Sequence, residues 1–139
     1  MLFYRILLPC LLFLVLVESD PTHMRLKFLC RPNITWCGKL LVYESDILEH
    51  DVKSINDFCS SSESIEYKSV IYAKGDGSPN YEWSYQLTHN CTSDGRIICT
   101  RPDENIVTPV EGTSYVNADV DVYDQGMNFR CLHPNTKRP

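Results

Sequence analysis

The chain has 139 residues, of which 43% are hydrophobic and 22% are charged, and this composition excludes a disordered or collagen-like protein. One domain fits this length, and folding of such a chain buries roughly 65 to 70% of its extended surface. The formal charge of -5 argues against a nucleic-acid partner, because phosphate backbones are bound by clusters of Lys and Arg.

The N-terminal segment has the features of a secretory signal peptide. A positive charge at Arg5 precedes twelve uncharged residues, Ile6–Val17, and a small residue stands just before Asp20. A retained membrane anchor is the alternative, but a bilayer span needs about 20 apolar residues. We therefore predict a signal peptide over residues 1–19, a single domain over 20–139, no transmembrane segment, and secretion to the extracellular space or the cell surface.

Alternating polar and apolar residues, rich in β-branched and aromatic side chains, predict an all-β domain. The predicted strands are, in chain order, Arg25–Cys30, Lys39–Tyr43, Ile65–Tyr72, Tyr81–Cys91, Arg96–Thr100 and Val116–Tyr123. Tyr81, Trp83 and Tyr85 form one face of their strand, and we expect them in the core rather than in a ligand platform. Short strands separated by turns indicate a small sandwich or barrel.

One segment does not fit this all-β pattern. Asp46 and Glu49 have the spacing of a helix capping box, and Leu48, Val52 and Ile55 fall on one helical face. Isolated helices shorter than about 12 residues are marginal in water. We interpret the segment as a loop with helical character, with one short helix as the alternative.

Removal of the signal peptide removes Cys10 and leaves an even number of cysteines. The six are Cys30, Cys37, Cys59, Cys91, Cys99 and Cys131. In an oxidising compartment this number predicts three disulfides, and the irregular spacings argue against a zinc site. Six cysteines permit 15 connectivities, and spacing alone does not choose among them.

Two sequons agree with export. Asn33 and Asn90 each begin an Asn-x-Ser/Thr acceptor sequence. A disulfide at Cys91, inside the second sequon, would hinder its modification. We predict glycosylation at both positions, with Asn33 the better acceptor.

Titratable residues do not assemble into a recognisable catalytic motif. His89 lies on the aromatic face of its strand, without a Gly-x-Ser-x-Gly motif in the sequence, so we expect a structural histidine. Asp119, Asp121 and Asp124 are a conceivable Ca²⁺ cluster, but they lack EF-hand spacing and the first two fit the solvated face of a strand. We predict no catalytic residue, no cofactor and no metal site.

The most specific stretch of the chain is His89–Arg101, with a strand ending in His-x-Cys, a polar loop and then Cys-x-Arg. Together with Tyr81–Leu87 before it, this stretch resembles the secreted nematode transthyretin-like family. Leu26–Cys30, Leu40–Asp46 and Phe129–Cys131 are similar to that family's first strand, second strand and closing cysteine. The resemblance implies a transthyretin-like, Greek-key β-sandwich of about seven strands, which is secreted and belongs to a family with no activity common to its members.

The resemblance departs from the family pattern in the middle of the chain. Cys37 and Cys59 are additional to the usual four cysteines, and the Asn56–Glu66 region is rich in serine where the family has an Asp-x-x-Gly turn.

These features predict a secreted, non-enzymatic binding or bridging module whose partner is a cell-surface protein, a lipid headgroup or a small apolar molecule. A cysteine-rich effector or protease inhibitor is the alternative, although such scaffolds are usually denser in cysteine. A hydrolase is less favoured, because hydroxyisourate hydrolases of this fold end in Tyr-Arg-Gly-Ser and this chain does not. The binding surface would have to be located by mutating residues expected to be exposed, such as Glu82, Gln86, Asp119 and Asp121.

The hairpin around Asp94–Arg96 predicts one disulfide. A three-residue loop places Cys91 directly opposite Cys99, within the distance that a bridge requires. The competing two-residue Asp94-Gly95 turn would pair Cys91 with Ile98 instead. By elimination, Cys30 then pairs with Cys131, and Cys37 pairs with Cys59.

Overall fold

The computed structural model describes residues 20–46, 50–73, 77–128 and 130–131, which form eight strands and, within these ranges, no helix. The strands are β1 (Pro21–Leu29), β2 (Trp36–Glu44), β3 (Asp51–Ser60), β4 (Ser64–Tyr72), β5 (Asn80–His89), β6 (Ile98–Thr100), β7 (Ile106–Pro109) and β8 (Ser114–Asp121). The predicted all-β class is confirmed, with eight strands in place of about seven.

The strands form two sheets. One has three strands in the order β4-β1-β8, and the other has the order β3-β2-β5-β6, with β7 pairing with the first half of β5. Neighbouring strands are antiparallel except β1 and β8, which are parallel. Four connections pass from one sheet to the other, so the chain builds a β-sandwich.

Alternate residues of β1, β2 and β5 point into the apolar core between the sheets. Leu26 and Phe28 of β1 meet Trp83, Tyr85 and Leu87 of β5 in this core, and all five are buried. The ring of Phe28 packs edge-on against that of Tyr85, with 5.5 Å between centroids. Full burial of a large apolar side chain contributes about 1.5 to 3 kcal/mol. The predicted core role of the aromatic face of β5 is confirmed.

Strand β3 is the largest departure from the predicted elements. It runs antiparallel to β2 from Asp51 to Ser60, so both the predicted loop with helical character and the short helix that was its alternative are wrong for residues 51–55, whereas residues 47–49 lie outside the described part. As an edge strand, β3 buries few side chains: Ile55 is 55% exposed. Its sequence therefore lacks the alternation that marks a strand, and pairing with β2 decides its conformation.

The structure contains three disulfides, which join Cys30 to Cys91, Cys37 to Cys59, and Cys99 to Cys131. Every cysteine of the predicted framework is paired. The Cys37–Cys59 bridge is confirmed, whereas the predicted Cys91–Cys99 and Cys30–Cys131 bridges are wrong.

The register of β5 against β6 explains the error. Thr88, rather than Cys91, lies opposite Cys99. Because side chains alternate between faces, Cys91 stays on the inner face and Cys99 joins Thr88 on the outer face. Cys91 therefore reaches Cys30 across the core and ties the two sheets together, while Cys99 meets Cys131 outside the sandwich.

Candidate functional site

The outer face of the five-stranded sheet carries an open pocket of about 740 Å³. This volume lies in the range of roughly 300 to 1,000 Å³ that is usual for small-molecule sites. Side chains on β2, β3 and β5 and in the loop before β6 line it, among them Lys39, Leu41, Asp57, Gln86, Thr88 and Ile97. The pocket is therefore built mainly from outward-pointing residues of paired strands, which hold its shape.

The floor of the pocket is formed by two cross-strand pairs of β2 and β5. Leu41 lies opposite Gln86, and Lys39 lies opposite Thr88. Leu41 is 5% exposed and Gln86 is 9% exposed, so an apolar side chain and an amide are nearly buried side by side. The prediction that Gln86 is a surface residue is wrong, because β5 is an interior strand of its sheet and this position lies on the pocket floor.

Two disulfides stand on opposite sides of this floor. Cys37–Cys59 joins β2 to β3 on one side, and Cys99–Cys131 joins β6 to the C-terminal segment on the other. The backbone N–H of Cys131 also donates to Thr88 Oγ1 across 3.2 Å. Covalent bonds and the strand ladder thus fix both sides of the pocket.

The charged groups at the pocket carry a net positive charge. Lys39 Nζ lies 3.8 Å from Asp57 Oδ1, and Arg130 is an exposed lining residue. Two cations therefore face one carboxylate among the described lining residues. Such an arrangement favours a ligand with an apolar body and a negatively charged group.

His89 lies beneath the pocket and is committed to structural hydrogen bonds. Its Nδ1 accepts the backbone N–H of Cys91 at 3.3 Å, so Nε2 carries the proton and donates to Thr100 Oγ1 at 2.8 Å. Thr100 Oγ1 in turn donates to the backbone oxygen of Gln125. Burial lowers the pKa of His89 to about 4. The ring is therefore neutral at pH 7, and both of its nitrogens have protein partners.

A family model described as "Caenorhabditis elegans protein of unknown function (DUF870)" matches residues 25–134, which is most of the chain. The chain belongs to the DUF870 family. No curated protein and no solved structure matches it. The match to DUF870 does not connect the chain with the transthyretin-like family. The resemblance to that family therefore stays a prediction.

The three aspartates considered above as a conceivable Ca²⁺ cluster have different surroundings in this DUF870 chain. Asp119 accepts a hydrogen bond from Arg25 at 2.8 Å, and Asp121 accepts one from Arg31 at 2.9 Å. Asp124 lies in the turn after β8 with a positive φ of 52°. Among the described residues, no three His, Cys, Asp or Glu side chains come together as metal ligands.

The two sequon asparagines differ in their surroundings. Asn33 is exposed in the turn between β1 and β2, with a φ of 64°. Asn90 is half-buried, and its Oδ1 accepts the backbone N–H of Cys37 at 2.7 Å. Glycosylation of either residue stays a prediction, and this geometry favours Asn33 as the acceptor.

A second surface, on the outer face of the three-stranded sheet, was not predicted. Tyr72 on β4 is 65% exposed and Tyr115 on β8 is 68% exposed, and Val70, two residues before Tyr72 on the same strand, is 46% exposed. The ring of His23 stacks on that of Tyr115, with 5.0 Å between centroids and 14° between planes. We call these four residues the aromatic patch. Its sequence signal is weak, because single outward aromatic residues on three separate strands produce no local motif.

The disulfide framework is compatible with an extracellular protein. In the part of the chain that the structure describes, no helix has the length and apolarity to cross a membrane.

Proposed function

We propose that this protein is a secreted, non-enzymatic binding module that holds a small amphipathic ligand in the pocket of the five-stranded sheet. The observation that carries the proposal is the pocket itself: about 740 Å³, flanked by two disulfides and lined by apolar groups with a few polar ones. Small-molecule sites combine these features.

The lining suggests the chemical class of the ligand. Leu41 and Ile97 supply apolar surface, and Gln86 and Thr88 supply hydrogen-bonding groups on the floor. The cations at the pocket favour an anionic head. A long-chain carboxylic acid, or another amphiphile with one negative charge, satisfies all three kinds of contact.

A binding role is also supported by the state of His89. A general base must be free to take a proton from a substrate, and its pKa should lie near the working pH. His89 donates to Thr100 and accepts from Cys91, and its pKa is about 4. The signal peptide predicted from the sequence and the three disulfides support secretion.

A titration of the purified protein with a dansyl-labelled long-chain fatty acid tests this function. We expect saturable binding of one probe per chain, reported by increased dansyl fluorescence. Ile97→Trp adds bulk at a 41% exposed lining residue and should weaken binding at least tenfold. Val107→Trp is the matched control, because Val107 is 58% exposed on β7 and does not line the pocket.

Two results would contradict the proposal. One is wild-type protein that shows no saturable binding. The other is equal binding by the Ile97→Trp and Val107→Trp variants, which would place the probe elsewhere on the molecule.

A further inference from the structure

The three disulfides differ in their access to solvent. Cys30 and Cys91 are 5% and 0% exposed, and Cys99 is 2% exposed, whereas Cys37 and Cys59 are both exposed. Thiol–disulfide exchange begins when a thiolate attacks one sulfur of the bridge, so access to the sulfur controls the rate. Among the three bridges, Cys37–Cys59 is the one whose two residues are both exposed, so a dissolved thiol can approach it more readily than the others.

This bridge can open without unfolding the sandwich. Cys37 and Cys59 are directly opposed residues of β2 and the edge strand β3, and the ladder continues on both sides of them. Backbone pairing therefore keeps the two residues opposite each other when the bond breaks. The same pairing allows the bridge to form again.

The charges next to the bridge distinguish its two sulfurs. Lys39 follows Cys37 by two residues on the outer face of β2, and Asp57 precedes Cys59 by two residues on the outer face of β3. A neighbouring cation stabilises a thiolate, and a neighbouring carboxylate destabilises one. Because the thiol with the lower pKa leaves faster, Cys37 is the better leaving group.

We propose that Cys37–Cys59 is an exchange site for low-molecular-weight thiols such as glutathione, with the adduct on Cys59. The thiolate of the small molecule attacks Cys59 Sγ and forms a mixed disulfide with it. The bond between the two cysteine sulfurs breaks, and its electron pair leaves on Cys37 Sγ as a thiolate that takes a proton from solvent. The exchange needs no external oxidant, and it takes place in the ligand-free protein, because Cys37 and Cys59 themselves line the pocket.

Mass mapping after brief treatment with reduced glutathione tests this site. The full coding sequence is expressed in a eukaryotic secretory host, and the folded product is treated, quenched with N-ethylmaleimide and digested. We expect glutathione on Cys59 and N-ethylmaleimide on Cys37 in the first opened molecules, with the other two bridges intact. Earlier opening of Cys30–Cys91 or Cys99–Cys131, no opening under native conditions, or a major adduct on Cys37 would overturn the proposal.

A charge exchange tests the reason for the chosen sulfur. In the double variant Lys39→Asp/Asp57→Lys the ion pair is kept but reversed, so the major glutathione adduct should move to Cys37. The matched control is Arg31→Asp/Asp121→Arg, which reverses the ion pair between Arg31 and Asp121 away from this bridge and should leave the adduct on Cys59. An adduct that stays on Cys59 in the first variant would contradict the role of the charges.

Discussion

The two outer faces of the sandwich are built in different ways. The face of the five-stranded sheet is concave, nearly buries Leu41 and Gln86, and has a disulfide on each side. The face of the three-stranded sheet carries the exposed Tyr72 and Tyr115 of the aromatic patch and a row of ion pairs. The Cys99–Cys131 bridge holds the C-terminal segment against the five-stranded sheet beside its pocket, whereas ion pairs between strands cover part of the other face.

The ion pairs of the three-stranded sheet illustrate this contrast. Arg25 contacts both Glu66 and Asp119 across three neighbouring strands. The Lys68 ammonium and the Arg25 guanidinium hold the pKa of Glu66 below its usual range. Exposed pairs of this kind contribute little to stability. They add charge to this face, which also carries a smaller depression of about 440 Å³, lined in part by Tyr115.

The largest loss of unfolding free energy should follow from removing the bridge that ties the two sheets together through the core. Cys30→Ala/Cys91→Ala removes a link across 61 residues and should cost about 4 kcal/mol of unfolding free energy from the chain-entropy relation. Cys37→Ala/Cys59→Ala removes a link across 22 residues and should cost about 3 kcal/mol on the same relation. Urea unfolding measures both, and a larger loss for the second variant would contradict the assigned roles.

Acid should lower the unfolding free energy of the sandwich, because the buried ring of His89 resists protonation in the folded state. Its pKa falls from 6.5 to about 4 on folding because burial penalises the charged ring. The unfolded chain therefore binds the proton first, so the stability from the neutral ring is present above pH 6.5 and is lost as the pH falls towards 4. The loss should be about 3 kcal/mol, at 1.36 kcal/mol for each pKa unit.

Unfolding free energies between pH 7 and pH 4 measure this effect. His23→Gln, on the exposed aromatic patch, should follow the wild-type curve, whereas His89→Gln should give a flatter one. Equal slopes for wild type and His89→Gln would show that another group governs the acid response.

Removal of a positive charge at the pocket should have a smaller effect, and this effect should be on ligand affinity only. Lys39→Gln and Arg130→Gln should each weaken binding of the fatty-acid probe by about fivefold, which corresponds to about 1 kcal/mol. Lys27→Gln is the control, because Lys27 lies on β1 in the other sheet. The neutral methyl ester of the probe should bind all four proteins equally, and an equal loss for the ester would rule out a charge contact.

The smallest effect should follow from a change in the aromatic patch. Tyr72→Ser should alter the unfolding free energy by no more than about 0.5 kcal/mol, because the side chain is mostly in solvent. Probe affinity should match that of the wild type. A loss of binding in this variant would move the candidate site to the three-stranded sheet.

The sequence predicted the parts of the fold that have strong local patterns. β5 alternates aromatic and polar residues, so both its conformation and its inward face followed from the sequence. The sequence did not predict β3 or β7. β3 is an exposed edge strand, and β7 has four residues, which are too few to show a period. The prediction of disulfide pairing failed because the register of β6 against β5 differs from the expected one. This register places Cys99 on the outer face of the sheet rather than on the inner face with Cys91.

The candidate site was less predictable than the fold. Gln86 alternates with buried aromatic residues, and this pattern predicts a side chain that faces solvent. In the structure, the surrounding sheet and the bridge from Cys99 to Cys131 enclose it. Concavity arises from strands that are distant in sequence. Only the pairing of β2 with β5 brings Leu41 beside Gln86.

A two-dimensional ¹H–¹⁵N NMR titration of the isotope-labelled protein with the long-chain fatty acid tests the central claim most directly, because it reports on both faces at once. Binding in the pocket should shift the amide signals of Lys39, Gln86 and Ile97 and leave those of Val70 and Tyr115 unchanged. Shifts confined to Val70, Tyr115 and their neighbours, with the pocket amides unmoved, would contradict the assignment of the site to the five-stranded sheet.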